Sequence, residues 1–172
     1  MFKNAVALEE AAKIDTVVLD KTGTLTRGEP EVVEVVAAVG IDEDELLRLM
    51  AAVERQSEHP LAEALVTEAR TRSLVLVAAE DFDSVTGAGV RGTVAGRALL
   101  LGNLALMTDN NIKAETLAAE ADGLRNDGAS VMFLAADGAF LGLLAVADPI
   151  KPSAGPTVAA LQASGLRVVM AT

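Results

Sequence analysis

The sequence predicts an α/β protein in which one Rossmann-like domain is interrupted by an inserted α+β domain. Two short β-branched runs, 16–19 and 166–170, lie near the two ends of the chain and are typical of buried strands in a parallel sheet. Between them lie two hairpin signals, Ala95-Gly96 and Asp137-Gly138. Hairpins join antiparallel strands, so the middle of the chain is expected to form an antiparallel sheet of its own, flanked by helices.

Local patterns place the individual elements and the domain boundaries. Asp42, with Glu45 three residues later, fits a capping box ahead of an apolar helical face, and Pro60 suits the first turn of the next helix. The predicted helices are 5–13, 42–54, 60–72, 103–108, 114–126 and 157–164. The predicted strands are 16–19, 31–39, 81–86, 90–95, 98–101, 130–136, 139–146 and 166–170. The outer domain is expected to comprise 1–27 and 144–172, and the inserted domain 28–143.

The composition excludes several classes of protein. The net charge is −11 and aromatic residues make up only 2% of the chain, which argues against binding to nucleic acid. The absence of cysteine excludes a disulfide framework and a Cys-x-x-Cys metal site. No apolar run approaches the roughly 18 residues that span a bilayer, so we expect a soluble, cytosolic chain.

A polar segment follows the first predicted strand, with Asp20 at its carboxyl end, where open α/β sheets bind ligands. Gly23 permits a tight turn, Lys21 adds a positive charge, and Thr22 and Thr24 offer hydroxyl groups. A carboxylate in this setting can act as a nucleophile toward a phosphoryl group. The simpler alternative is a turn in which Lys21 merely pairs with Asp20.

The seven residues Asp20-Lys21-Thr22-Gly23-Thr24-Leu25-Thr26 resemble the phosphorylation motif of P-type ATPases. The resemblance implies a haloacid dehalogenase-like fold for the outer domain and phosphorylation of Asp20, with Lys21 and Thr22 stabilising the transferred group. Many phosphatases of that superfamily carry a second Asp as general acid/base at the position of Thr22. Without that group an aspartyl phosphate should persist, which suits a pump.

A second set of residues indicates a nucleotide site in the inserted domain. Glu54 and His59 could recognise adenine, the carboxylate by accepting a hydrogen bond from the exocyclic amine and the imidazole by stacking on the base. Taken alone, a His before Pro is more often the start of a helix. Glu54 together with Ser57-Glu58-His59-Pro60-Leu61-Ala62 resembles the nucleotide-domain signature of heavy-metal-transporting P-type ATPases.

The segment 87–92 reads Gly-Ala-Gly-Val-Arg-Gly, a literal G-x-G-x-x-G. A dinucleotide fingerprint would open a helix, whereas this segment runs into a predicted strand, so that interpretation fails. The alternatives are a glycine-rich turn or, as the resemblance implies, a loop in which Gly87 and Gly89 approach ATP. Asn103 would likewise reach the nucleotide, or cap the helix that follows it, or do both.

The C-terminal part resembles further segments of the phosphorylation domain. Asp148-Pro149-Ile150-Lys151-Pro152 resembles the segment after its second hinge, which implies that Asp148 and Lys151 help to organise the site near Asp20. A polar loop between two prolines is the alternative. The run 168–172 resembles the strand that leads into a Thr-Gly-Asp motif, so Thr172 is expected to contact phosphate. Mg²⁺ would be bound by Asp20 and the main-chain carbonyl of Thr22.

Together the resemblance implies a fragment of a P-type ATPase that uses ATP and an aspartyl phosphate to export a heavy-metal cation. Cu⁺ is favoured by the nucleotide domain and by Phe2-Lys3-Asn4-Ala5, which resembles the link from a membrane helix. The family's Gly-Asp-Gly-x-Asn-Asp motif is not in these 172 residues, and the resemblance implies further partners: an actuator domain, metal-binding domains and membrane helices. We therefore expect an incomplete outer domain and no turnover of ATP by the fragment alone. The alternatives are a nucleotide-binding module without chemistry and a haloacid dehalogenase-like phosphatase with a cap domain.

Overall fold

The computed structural model describes residues 13–57 and 59–171, which belong to two compact units. The outer unit combines Met1–Glu29 with Asp148–Thr172, and the inserted unit is Pro30–Ala147. The predicted entry segment at Phe2-Lys3-Asn4-Ala5, nearly all of the helix predicted over 5–13, and Thr172 lie outside the described residues. Within the described residues, none of the helices combines the length and apolarity needed to cross a bilayer.

The inserted unit is built on a six-stranded antiparallel sheet, as the hairpin signals predict. The strands are β2 (Glu31–Ala37), β3 (Glu80–Val85), β4 (Gly89–Val94), β5 (Arg97–Gly102), β6 (Ser130–Ala136) and β7 (Ala139–Ala147). Their spatial order is β2-β7-β6-β5-β4-β3, so each of the two predicted hairpins joins neighbouring strands.

Helices cover both faces of this sheet. On one face lie α1 (Glu43–Glu54) and α2 (Pro60–Thr71), whose buried residues form a core with Leu134 and Ala136 of β6. On the other face, α3 (Leu104–Asp109) and α4 (Ala118–Asn126) pack around Phe133 and its neighbours in a second core. Alternate residues of β6 thus enter opposite cores, as the period of two in a strand requires.

The predicted N-cap at the start of α1 is present, but the reciprocal half of the capping box is not seen, because the Glu45 carboxylate accepts from Arg48 instead. The Asp42 carboxylate accepts a hydrogen bond from the Glu45 N–H at 3.0 Å, which satisfies one of the free donors of the first turn. Leu46, Leu49 and Val53 are fully buried along one face of the helix. This face packs α1 against the sheet. Glu54, the last residue of α1, is therefore held in a fixed position next to the sheet.

The outer unit contains the predicted parallel strand pair. β1 (Thr16–Asp20) pairs with β8 (Arg167–Ala171), with Val17 opposite Val168 and Asp20 opposite Ala171. The expectation that these strands are buried is wrong for the described residues, because Val18 is 63% exposed and Met170 is 57% exposed. β1 and β8 pair only with each other there, so their outer edges and much of their apolar surface face solvent.

Two helix starts differ from the prediction. The last helix, α5 (Ala154–Ala163), begins three residues before the predicted Thr157. Pro156 does not prevent this earlier start, because it lies in the first turn, where a backbone N–H has no partner within the helix. The helix predicted from 114 begins instead with a 3₁₀ turn, Glu115–Leu117, which leads into α4.

Candidate functional site

A cleft of about 440 Å³ in the inserted unit is lined by all five residues that the sequence nominates for nucleotide binding. They come from three places in the chain: the α1–α2 connection, the β3–β4 turn, and the end of β5. The five residues are Glu54, His59, Gly87, Gly89 and Asn103. The fold therefore brings residues that are up to 49 positions apart together on one concave surface.

Glu54 contributes a carboxyl group to the lining of this cleft. It is the last residue of α1, and only 5% of it is exposed. Burial raises the pKa of its carboxyl group. Hydrogen bonding from Ser57 and the electrostatic effect of the nearby His59 each lower the pKa, but by less than burial raises it. A carboxylate with this little access to water gains most from a partner that donates hydrogen bonds from within the cleft.

His59 both starts a helix and lines the cleft. Its Nδ1 accepts a hydrogen bond from the Leu61 N–H at 3.2 Å, so the side chain is the N-cap of α2, and the helix-start interpretation is confirmed. The cap thus fixes the orientation of a flat ring at the edge of the cleft.

The glycine-rich segment forms a turn and the start of a strand. Gly87 lies in the turn between β3 and β4, and Gly89 is the first residue of β4, so the segment opens no helix and the dinucleotide interpretation is excluded, as predicted. Gly89 lies opposite Gly102 of β5. A Cβ at Gly89 would run into the Leu101 carbonyl, and one at Gly102 into the Ala88 carbonyl. These two glycines therefore let β4 and β5 approach each other closely. At Gly87, where a Cβ would meet no atom within 4 Å, the wall of the cleft is bare main chain that a ligand can approach.

Asn103 connects this turn to the next helix. Its Oδ1 accepts from the Leu106 N–H at 2.9 Å, which confirms the predicted N-cap, and its Nδ2 donates to the Gly87 carbonyl at 3.1 Å. The amide thus fixes the position of the glycine turn relative to α3. Its place in the lining of the cleft leaves the second Nδ2 hydrogen available for a ligand.

In the outer unit, Asp20 is the exposed last residue of β1. Lys21, Thr22, Gly23 and Thr24 follow it in an exposed loop, in which Gly23 adopts a φ of 76° and the Thr26 N–H donates to the Lys21 carbonyl at 3.1 Å. The predicted tight turn is therefore present, and the loop presents Asp20 with Lys21 and two hydroxyl groups at the carboxyl end of the strand.

Asp148 and Lys151 hold this loop from the other segment of the outer unit. Asp148 accepts from the Thr26 hydroxyl at 2.5 Å and from the Gly28 N–H at 2.9 Å. The Thr26 hydrogen bond and neighbouring backbone N–H groups hold the pKa of the Asp148 carboxyl below its usual value. The Lys151 Nζ donates to the Gly23 carbonyl at 2.5 Å.

Two residues of these sites have contacts that the sequence did not reveal. Thr26 is only 1% exposed, and its hydroxyl joins the Asp20 loop to Asp148, 122 positions away. The Ser57 hydroxyl accepts from the His59 N–H at 3.1 Å, and the Ser57 N–H donates to the Glu54 main-chain carbonyl at 2.7 Å. Thr26 lies in the motif around Asp20 and Ser57 in the motif around His59, so membership of a motif was the available signal. A contact with a residue far along the chain, such as Asp148, leaves no local pattern in the sequence.

Comparison with known proteins defines the class of protein. A family model described as haloacid dehalogenase-like hydrolase matches residues 14–172, so the chain belongs to this family, and the predicted fold class is confirmed. The crystal structure of a zinc-transporting PIB-type ATPase in its E2·Pi state superposes with a TM-score of 0.85 and 34% identity. That alignment covers 99% of this chain and 27% of the other.

Within that class, the curated relatives are P-type ATPases for copper or silver, which confirms the predicted resemblance to heavy-metal P-type ATPases. A copper-transporting P-type ATPase of Rhizobium leguminosarum bv. viciae is 46% identical over the whole chain, and a copper-exporting P-type ATPase of Legionella pneumophila is 47% identical. A silver exporting P-type ATPase of Salmonella typhimurium is 41% identical, also over the whole chain. The chain spans 20%, 23% and 21% of these three relatives, about a fifth of their length.

Proposed function

We propose that the inserted unit binds ATP and ADP in the cleft between Glu54, His59 and the Gly87 turn. The observation that carries this proposal is the convergence of all five nominated residues on one cavity. The Glu54 carboxylate accepts a hydrogen bond from the exocyclic amine of adenine, and the His59 ring stacks on the base. The bare main chain at Gly87 and Gly89 lets the sugar and phosphates approach, with Asn103 donating to them.

Asp20 is the acceptor of the γ-phosphoryl group in this proposal. A carboxylate oxygen forms a bond to the γ-phosphorus while the bond to the β–γ bridging oxygen breaks, and ADP leaves. Lys21 and the Thr22 and Thr24 hydroxyls stabilise the equatorial oxygens as charge develops on them. Asp148, Lys151 and Thr26 support the reaction by fixing the loop, and Thr172 is assigned to phosphate contact on the resemblance alone.

Mg²⁺ fits the donor set around Asp20. The Asp20 carboxylate and the Thr22 carbonyl are hard oxygen ligands of the kind Mg²⁺ prefers, and Mg²⁺ commonly binds through one or two carboxylates plus substrate phosphates and water. The described residues contain no cluster of three or more His, Cys, Asp or Glu side chains able to hold a metal ion by themselves. When bound, Mg²⁺ neutralises charge on the phosphates, and the residues of this chain orient the acceptor.

The chain is proposed to be a cytosolic part of an ATPase that exports a heavy-metal cation, Cu⁺ being favoured. The support is the similarity over all 172 residues to copper-transporting and copper-exporting relatives. The proposed partners are those implied by the family: an actuator domain, metal-binding domains and membrane helices. The phosphatase alternative is disfavoured because Thr22 stands where such enzymes carry an Asp, whereas a binding module without chemistry remains the second candidate for this chain taken alone.

Replacing His59 by Asn tests the nucleotide site. Asn preserves an N-cap acceptor for α2 but removes the flat ring, so the fold is expected to survive. Stacking contributes on the order of 1–3 kcal/mol per base, so ATP affinity should fall at least fivefold in a calorimetric titration. A folded Asn variant that binds ATP as tightly as the original chain would contradict the assignment.

A further inference from the structure

Met132 lies in the part of β6 that extends beyond the neighbouring strand β5. The pairing of β5 with β6 ends where Gly102 lies opposite Phe133, and the chain then leaves the sheet and enters α3. Because β6 begins at Ser130, its first three residues have no partner in β5. All three line the cleft that is proposed to bind nucleotide. The departure of β5 therefore gives a ligand access to this end of β6.

The side chain of Met132 lies on the face of the sheet that α1 and α2 cover. It packs against the same core as Leu134 and Ala136, two and four residues further along β6. The intervening residues Val131 and Phe133 belong to the core on the opposite face, as the alternation of side chains in a strand requires. Leu134 is fully buried, whereas Met132 is only half-buried. Met132 therefore still has apolar surface to offer to a ligand in the cleft.

The two residues that are proposed to recognise the base reach the cleft from the helical layer. Glu54 is the last residue of α1, and His59 is the N-cap of α2. Met132 reaches the same cleft from the sheet beneath these helices. A flat base bound between the two layers, with one face toward the His59 ring, therefore has its other face toward Met132.

We propose that Met132 is a specificity-determining residue, whose thioether contacts the face of the base opposite His59 and favours a purine over a pyrimidine. The inference rests on the proposed nucleotide-binding function and deepens it by assigning the class of base. Adenine and cytosine both carry an exocyclic amine, so a hydrogen bond to Glu54 does not distinguish them. The two fused rings of a purine cover more apolar surface than one pyrimidine ring, and sulfur is attracted to aromatic rings.

The contact is tested directly through the NMR signals of isotope-labelled methionine methyl groups. An aromatic ring shifts the resonance of a methyl group that lies against its face. ATP and adenosine should therefore shift the Met132 methyl signal, which is assigned by its loss in Met132→Leu. Ribose phosphate, which has no base, should not shift it. Met50 and Met107 are fully buried in the two cores and serve as internal references.

Calorimetric titrations with ATP and CTP measure the specificity. Met132→Ala is expected to reduce the preference for ATP over CTP by roughly twofold to tenfold, the size of one sulfur–aromatic contact. Met132→Leu keeps a similar apolar volume and should retain most of the preference. Leu76→Ala, which shortens a half-buried side chain on the same core but outside the cleft, should leave the preference unchanged. Heteronuclear NMR spectra establish that each variant is folded.

Two results would overturn the inference while leaving the proposed function intact. One is a Met132 methyl signal that does not move although ATP binds. The other is a folded Met132→Ala variant that keeps the original preference for ATP over CTP. No binding of ATP by the original chain would overturn the proposed function as well.

Discussion

Glu54 is the residue at which folding and recognition make opposite demands. Its carboxylate is nearly excluded from water, which disfavours the ionised form, while Ser57 and His59 favour that form but only in part. The net result is a carboxyl group with a raised pKa at the wall of a cleft. Such perturbed groups are concentrated at functional sites. In the proposed nucleotide site, the exocyclic amine of adenine would provide a hydrogen-bond donor to this carboxylate.

Replacing Glu54 by Gln should stabilise the inserted unit at neutral pH while weakening ATP binding. Because the pKa is higher in the folded state, the charged form destabilises the fold above that pKa, and the penalty disappears below the unfolded-state pKa. The gain in thermal midpoint should therefore be clear at pH 8 and vanish toward pH 4. Calorimetric melting at the two pH values measures it, and a variant that is less stable than the original at pH 8 would contradict this account.

Elements with local signals were predictable from the sequence, and those that depend on distant partners were not. Three local patterns predicted features that the structure contains: Asp42 caps a helix, Pro60 lies in a first helical turn, and Asp137-Gly138 connects the two strands of a hairpin. The exposure of Val18 agrees with the expectation of an incomplete outer domain and not with its β-branched run, because burial depends on which elements cover a strand, which its own sequence does not encode. The pairing of Gly89 with Gly102 was likewise invisible, because it requires the register of two strands.

Two glycines in turns, Gly87 between β3 and β4 and Gly96 between β4 and β5, offer a matched pair of substitutions. Gly87 and Gly96 have φ values of 70° and 77°, and a Cβ at either would meet no atom within 4 Å. Alanine at each should therefore cost about 1 kcal/mol of unfolding free energy through the left-handed backbone alone. Only Gly87→Ala should also weaken ATP binding, since Gly96 lies in the β4–β5 hairpin outside the cleft. Urea denaturation and calorimetric titration measure the two effects, and equal ATP affinity in both variants would argue against a ligand at this turn.

The molecule divides its proposed chemistry between two units. Every nominated nucleotide residue belongs to the inserted unit, whereas Asp20 and the residues that hold its loop belong to the outer unit. The motif around Asp20 was recognisable because its seven residues are contiguous, and the antiparallel sheet followed from its hairpins. The resemblance also implied that Asp148 organises this loop, but Thr26 as its partner was not predicted, because the two residues are 122 positions apart in the discontinuous outer unit.

The 172-residue chain by itself should not accumulate an aspartyl phosphate. Phosphoryl transfer depends on positioning and charge neutralisation, and each missing preorganised group costs about two to three orders of magnitude in rate. The Gly-Asp-Gly-x-Asn-Asp segment is not among these residues, so its groups cannot join Lys21 and Lys151 in offsetting the phosphate charge. Incubation with Mg²⁺ and γ-labelled ATP, followed by an acid quench, is expected to give no label. A hydroxylamine-labile label that disappears in Asp20→Asn would show that the residues present suffice.

Binding of adenine nucleotide in the cleft of the inserted unit is best tested by titrating the isotope-labelled chain with ATP and following the amide resonances. We expect the largest shifts at Ser57, His59, Gly87, Gly89 and Asn103, with adenosine alone reproducing those at Ser57 and His59. Absence of shifts at these residues, or shifts confined to the loop after Asp20, would contradict it.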